Sequence, residues 1–259
     1  MHLPDFIGRN FWLAPINHCF MLKMAANLEI FEAQIVLAGE FLPSLYSPEW
    51  FGRMGLLGED DVAAAIGGTE GVGLLVSSQM TIFATNWVHV QVIPNQLTLR
   101  SQGAPGPAMH DLAQGLLTSI DSLVVRAVGL NYGAHYRPDT MAELHRIGDA
   151  IVPKGMWHEA FPSAEHIGLA NLQVIMQPKG DAGIIDMNND YQRFFVQPSA
   201  VVQSGIYLGI NNHYRLLADD KSVANGSAAA ALIGEKWESS WRMSAEAFDK
   251  IIERALKAS

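Results

Sequence analysis

Two short segments of the chain carry the same three chemically useful side chains. His135-Tyr136-Arg137 and His213-Tyr214-Arg215 each follow a glycine-aliphatic-asparagine triplet by a few residues. An imidazole, a phenol and a guanidinium together can bind an anion or transfer protons. Because side chains alternate along a strand, we expect the histidine and arginine of each triplet on one face of a sheet and the tyrosine on the other.

These triplets form one site only if the two strand ends lie together. In that case the ligand-binding residues are His135, Arg137, His213 and Arg215. The alternative is the ordinary polarity of strand ends, with the tyrosines packed inward. The residues alone leave both interpretations open.

Other patterns that often mark chemistry are incomplete in this sequence. His158-Glu159 and Glu165-His166 lack the four-residue histidine spacing of a helical zinc motif. The single cysteine, Cys19, excludes an internal disulfide, and no Gly-x-Ser-x-Gly elbow is present. The glycine-rich segment 67–73 has no Lys-Ser/Thr after it, so it is not a phosphate-binding P-loop. We therefore predict no catalytic residue, no metal and no cofactor, and the sequence leaves enzymatic activity undecided while favouring a non-catalytic role.

The elements that must position these side chains are mostly strands. Alternating and β-branched residues predict strands over 27–41, 81–93, 97–100, 124–136, 166–177, 191–197 and 203–216. Apolar residues at three-four spacing predict a helix over 109–123. Capping patterns predict further helices that start at Ser47, near Glu59, at Asp139 or Thr140, and at Ser244.

This order of elements predicts the fold class. Strands outnumber helices and short turns join many of them, which indicates one α+β domain over residues 1–259 with a largely antiparallel sheet and helices packed on one face. Two internal echoes, the glycine-aliphatic-asparagine triplets and the Gln-Val-Ile at 91–93 and 173–175, leave open whether the domain consists of two pseudo-repeated halves, about 25–137 and 138–259.

Four parts of this pattern carry a family resemblance. They are the opening strand at 27–41, the segment 87–91, the helix-strand unit at 111–136 and the closing helix at 248–256. Their order resembles an uncharacterised group of bacterial α+β proteins of similar length. The resemblance implies the same fold and no known activity.

The amino-acid composition limits the kinds of partner that we expect. The formal net charge of -9 argues against nucleic-acid binding, because the chain has no basic run to displace phosphate counterions. No apolar run is long enough to span a membrane, and no signal peptide is evident, so we expect a soluble, cytoplasmic protein. Only 17% of the residues are charged, while the chain has 11 Met and 6 Trp, which favours a homo-oligomer or a protein partner.

Two functional hypotheses follow from these observations. The first is a non-catalytic protein-protein interaction or a structural subunit of a larger assembly. The second is a small-ligand-binding protein, or an enzyme of unrecognised class, that uses histidine, tyrosine and arginine at strand ends.

Overall fold

The computed structural model describes residues 26–69, 71–103, 106–120, 122–177, 185–216 and 225–258. These residues form the strands β1 (Ala26–Glu40), β2 (Leu75–Val76), β3 (Thr81–Ala84), β4 (Val88–Ile93), β5 (Gln96–Ser101), β6 (Val124–Pro138), β7 (Leu172–Met176), β8 (Tyr191–Pro198) and β9 (Ile206–Arg215). They also form the helices α1 (Pro48–Arg53), α2 (Glu59–Gly67), α3 (Pro107–Thr118), α4 (Met141–Ile151), α5 (Gly155–Ala160) and α6 (Gly226–Lys257).

The nine strands of the described ranges form one sheet in the order β2-β3-β4-β5-β1-β6-β9-β8-β7. Every pairing in this sheet is antiparallel. The long strands β1 and β6, each of 15 residues, pair at its centre. This arrangement confirms the predicted α+β class with a largely antiparallel sheet.

The helices pack on one face of this sheet, which we call the helix face. Trp237 and Phe248 of α6 are buried against it, and Phe51 of α1 contacts Phe83 of β3 edge-to-face at 5.5 Å. Apolar residues alternate along the central strands, as at Ile35 and Leu37, so every second side chain enters this core. The other face, which we call the open face, carries the intervening residues and no helix among the described residues.

Side-chain hydrogen bonds to the backbone mark two boundaries that differ from the predicted ones. Residues 81–93 form two strands, because the Thr85 hydroxyl accepts hydrogen bonds from the backbone N–H groups of Trp87 and Val88 and turns the chain. The last helix starts at Gly226, where the Asn225 side chain accepts from Ala228 N at 3.0 Å. Ser244 is therefore no cap; it is fully buried within α6 and donates to Ser240 O at 2.7 Å.

Evidence for two repeated halves is limited to one pair of segments. The two glycine-aliphatic-asparagine triplets lie on neighbouring strands, with Asn131 opposite Asn211. The sheet continues without a break across this pair, and the predicted halves are not confirmed.

Among the described residues, no helix combines the length and apolar character needed to cross a membrane.

Candidate functional site

The strand register separates the two His-Tyr-Arg triplets. In the β6–β9 pair, His135 lies opposite Tyr207 and His213 lies opposite Gly129. Tyr207 and His213 are six positions apart in β9, which corresponds to about 20 Å along the strand. The condition under which the two triplets would form one site is therefore not met in this register, because antiparallel neighbours place corresponding strand ends at opposite ends of the pair.

Both predicted arginines make local contacts. Arg137 Nε lies 3.3 Å from Glu29 Oε1, and both side chains are largely exposed. Arg215 Nη1 donates to the carbonyl oxygen of Asn188 at 2.8 Å, while the Arg215 backbone N–H donates to Asp190 at 2.7 Å. Arg215 thus holds the turn before β8. A ligand-binding role for either arginine stays a prediction.

Both predicted histidines contact tyrosine rings of the open face. The His135 ring centroid lies 4.7 Å from that of Tyr207, and Nδ1 lies 2.8 Å from Ser199 Oγ. The His213 ring stacks on Tyr191 at 4.6 Å. Burial lowers the pKa of both imidazoles below the usual value, so both are neutral near pH 7.

A row of polar side chains crosses the open face between these two histidines. The register places the side chains of five neighbouring strands in line, so that β5, β1, β6, β9 and β8 contribute in that order: Arg100, Gln34, Asn131, Asn211 and Arg193. We call these five residues the cross-strand row. Asn131 Nδ2 donates to Gln34 Oε1 at 3.0 Å and links the two central strands.

A depression lies beside this row because two glycines face each other there. Gly133 of β6 pairs with Gly209 of β9. The Tyr207 ring lies across both, and its hydroxyl is 2.7 Å from where a Cβ would stand on either glycine. Any larger residue at these positions would displace the tyrosine.

The resulting cavity, which we call the open-face cleft, has a volume of about 400 Å³. Its lining comes from two adjacent rows of the sheet and comprises Glu32, Ala33, Gln34, Arg100, Asn131, Tyr132, Gly133, Phe195, Tyr207, Ile210 and Asn211. This volume lies within the range of small-molecule sites in proteins. The polar lining indicates a polar ligand.

Among the described residues of the lining, only Glu32 and Arg100 are charged, and they form an ion pair. Arg100 Nη2 lies 2.8 Å from Glu32 Oε2, and Arg100 Nε also donates to this oxygen at 3.3 Å. Burial, reinforced by the nearby Glu32 carboxylate, raises the pKa of Tyr207 to about 12. The phenol therefore stays protonated at neutral pH and can both donate and accept a hydrogen bond.

Unpaired polar atoms concentrate in the cross-strand row. In the described part of the chain, four buried side-chain polar atoms lack a hydrogen-bond partner, and three of them are Asn131 Oδ1, Asn211 Oδ1 and Arg193 Nε. A buried polar atom without a partner costs about 1–3 kcal/mol. Because three such atoms lie in one row, a molecule bound there could form the hydrogen bonds that these atoms lack.

A second, smaller cleft adjoins the first. Its volume is about 320 Å³, and it shares Glu32 and Arg100 with the open-face cleft. His89 contributes to its wall, and burial, together with the Arg100 charge, lowers the pKa of this imidazole. The Glu32–Arg100 ion pair is thus a ridge between two depressions.

The chemistry that the open-face cleft can perform follows from its lining. Among the described residues that line it, none is a cysteine, serine, threonine, lysine or histidine. The Glu32 carboxylate is paired with Arg100, and the Tyr207 phenol stays protonated at neutral pH, so neither is an activated nucleophile. Paired charges, amides and a phenol are suited to holding a molecule by hydrogen bonds. Binding is therefore better supported than covalent catalysis.

Comparison with known proteins adds no name to this site. No protein-family model matches the chain, and no curated protein is significantly similar to it. The resemblance to uncharacterised bacterial proteins stays a prediction.

Sequence reasoning missed most of the cleft. It noticed the triplets that contain Asn131 and Asn211 but selected the His-Tyr-Arg ends instead. Asparagine is depleted in strands, so two strand-interior asparagines at matching positions were the available signal. Glu32, Arg100 and Tyr207 carried no such signal, since charged and aromatic residues are common on half-exposed strands.

Proposed function

We propose that the chain is a binding protein that holds a small polar molecule in the open-face cleft. One observation carries this proposal: Asn131 and Asn211 lie opposite each other with their side-chain oxygens buried and unpaired. Natural proteins keep such costly groups mainly where function requires them.

The geometry of the cleft supports the same conclusion. The facing pair Gly133 and Gly209 leaves room for the Tyr207 ring to lie on the backbone beside the cleft, whose lining includes Gly133 and Tyr207. The side chains come from strands at the middle of the sheet, which is its most rigid part, and rigid elements position binding groups best.

The test is a ligand screen by ligand-observed NMR with a library of small polar compounds that includes sugars, amino acids, amides and carboxylic acids. The key variant is Gly209→Ala, whose new Cβ would stand 2.7 Å from the Tyr207 hydroxyl and push this ring into the cleft. The matched control is Gly155→Ala, because a Cβ there meets no atom within 4 Å.

We expect at least one compound to bind the wild type and the control with a Kd of about 1 mM or lower. Gly209→Ala should weaken that binding at least about tenfold, since the cleft is filled by Tyr207. Binders that are insensitive to Gly209→Ala would place the site elsewhere. A library with no binder would refute the proposal.

A second function, assembly with another copy of the chain, is favoured by the outer edge strand β7. Its five residues contain no charge and no proline, and Val174 and Met176 on the helix-face side are about 40% exposed. Exposed apolar edge strands are prone to pair with another strand.

We propose antiparallel pairing of β7 with β7 of a second copy, which would set Val174 against Val174. Native mass spectrometry of the gently purified protein tests it: a dimer is expected, and a monomer at all concentrations would refute it.

A further inference from the structure

The lining of the open-face cleft also restricts the kind of molecule that it can hold. Glu32 and Arg100 are bonded to each other at 2.8 Å, and the remaining lining residues are uncharged. A charged ligand would therefore find no unpaired opposite charge in the cleft, and it would lose its hydration on entry. Arg193 lies beyond Asn211 and outside the lining, with its guanidinium 5.5 Å from the Tyr191 ring.

The lining offers both hydrogen-bond donors and hydrogen-bond acceptors. Asn131 and Asn211 belong to the lining, and each has an amide oxygen that can accept a hydrogen bond and has no partner. The protonated Tyr207 hydroxyl both donates and accepts. Hydroxyl groups match such a surface best, because each supplies one donor and two acceptor sites on a single atom.

The cleft also has flat surfaces. The Tyr207 ring lies on the backbone of Gly133 and Gly209, and Phe195 lies opposite Gly209 on the neighbouring strand. The face of an aromatic ring is electronegative, so it attracts the weakly positive C–H groups of a ring whose hydroxyls point sideways. Neutral charge, mixed hydrogen bonding and aromatic faces occur together here.

We propose that the ligand is an uncharged polyhydroxylated molecule, namely a neutral mono- or disaccharide. This assignment rests on the proposed function of the open-face cleft. The volume of about 400 Å³ sets the upper size.

The experiment is isothermal titration calorimetry of the full chain with D-glucose, D-galactose and maltose. Glucosamine, which is close to glucose in size, and the larger glucose 6-phosphate are the charged counterparts of glucose. We expect at least one neutral sugar to bind with a Kd of about 1 mM or lower, and its charged counterpart to bind more weakly.

Two neighbouring variants supply the site control. Asn211→Ala removes an amide of the cleft, so neutral-sugar binding should weaken about three- to tenfold, the effect of one hydrogen bond. Asn212→Ala alters the helix face, where this side chain is fully buried, and should leave the Kd unchanged while it lowers stability. Equal Kd values for Asn211→Ala and the wild type would refute the assignment.

The outcomes separate this inference from the function on which it rests. If only the charged sugars bind, or if no sugar binds while other compounds of the polar library do, the ligand class is wrong and the cleft remains a binding site. If the whole library also fails, both the class and the proposed function are wrong.

Discussion

Asn211 and Asn212 are consecutive residues of β9, and their side chains point to opposite faces of the sheet. An alanine substitution at each position therefore measures what one asparagine on one face contributes to the free energy of unfolding. Asn212 is fully buried on the helix face, where Nδ2 donates to Leu130 O at 3.0 Å and Oδ1 accepts from Gln192 Nε2 at 2.7 Å. In the described part of the chain, Asn211 makes no side-chain hydrogen bond, and its Oδ1 is buried without a partner.

The expected changes in the free energy of unfolding differ accordingly. Asn212→Ala leaves two groups, the carbonyl of buried Leu130 and the amide of half-buried Gln192, without their partner, and each costs about 1–2 kcal/mol. We therefore expect a total loss of about 2–4 kcal/mol, or a fall in Tm of at least about 4 °C for a chain of this size. Asn211→Ala removes a buried unpaired oxygen, so it should not lower stability and should raise it by up to about 1–3 kcal/mol.

Urea unfolding monitored by tryptophan fluorescence measures both values, since the chain has six tryptophans. Both variants place the same residue in the same strand, so differences in β-propensity cancel. A loss of more than about 1.5 kcal/mol in Asn211→Ala would show that its amide is a structural group, and the argument from unpaired atoms would fail.

Two further predictions concern pH and the edge of the sheet. Burial lowers the pKa of His89, His135 and His213 below 6.5. Below about pH 7 the unfolded chain therefore binds more protons than the folded chain. The contribution of these histidines to stability is full above this pH and is lost as the pH falls through the pKa values of the folded chain. Urea midpoints between about pH 5 and pH 8 should therefore fall on acidification, and more shallowly in His135→Gln, whereas a rise would contradict the assigned shifts. Val174→Lys should convert a dimer to a monomer in light scattering, whereas Met243→Lys, at an exposed position of α6, should leave the dimer intact. A dimer that persists in Val174→Lys would rule out pairing through β7.

Local patterns were sufficient for most of the elements. Ser47 before Pro48 predicted the start of α1, and its hydroxyl accepts from the Trp50 N–H as expected of a cap. Thr140 caps α4 in a full capping box with Glu143. These features depend on residues three or four positions apart, which is why the sequence reveals them.

The predicted boundaries of helices and strands were wrong where contacts with residues distant in the sequence outweigh the local sequence pattern. The first half of α6 contains glycine, serine and several alanines, and it is helical because Ala229, Ala230 and Ile233 are buried in the core. Only residues 172–176 of the predicted strand at 166–177 pair with β8, because pairing requires a partner as well as β-forming residues.

By itself, the sequence determined the α+β class, the predominance of antiparallel strands and the alternation that sends Tyr136 to the helix face, where it donates to Asp249 at 2.7 Å. Tertiary structure alone decided which side chains share a site. Strand order and register join Arg100, Gln34, Asn131 and Asn211 from four separate strands, whereas the same register places His135 and His213 about 20 Å apart. The physical reason is that the periodicity of a strand fixes the face of each residue, but its neighbours across the sheet depend on long-range pairing.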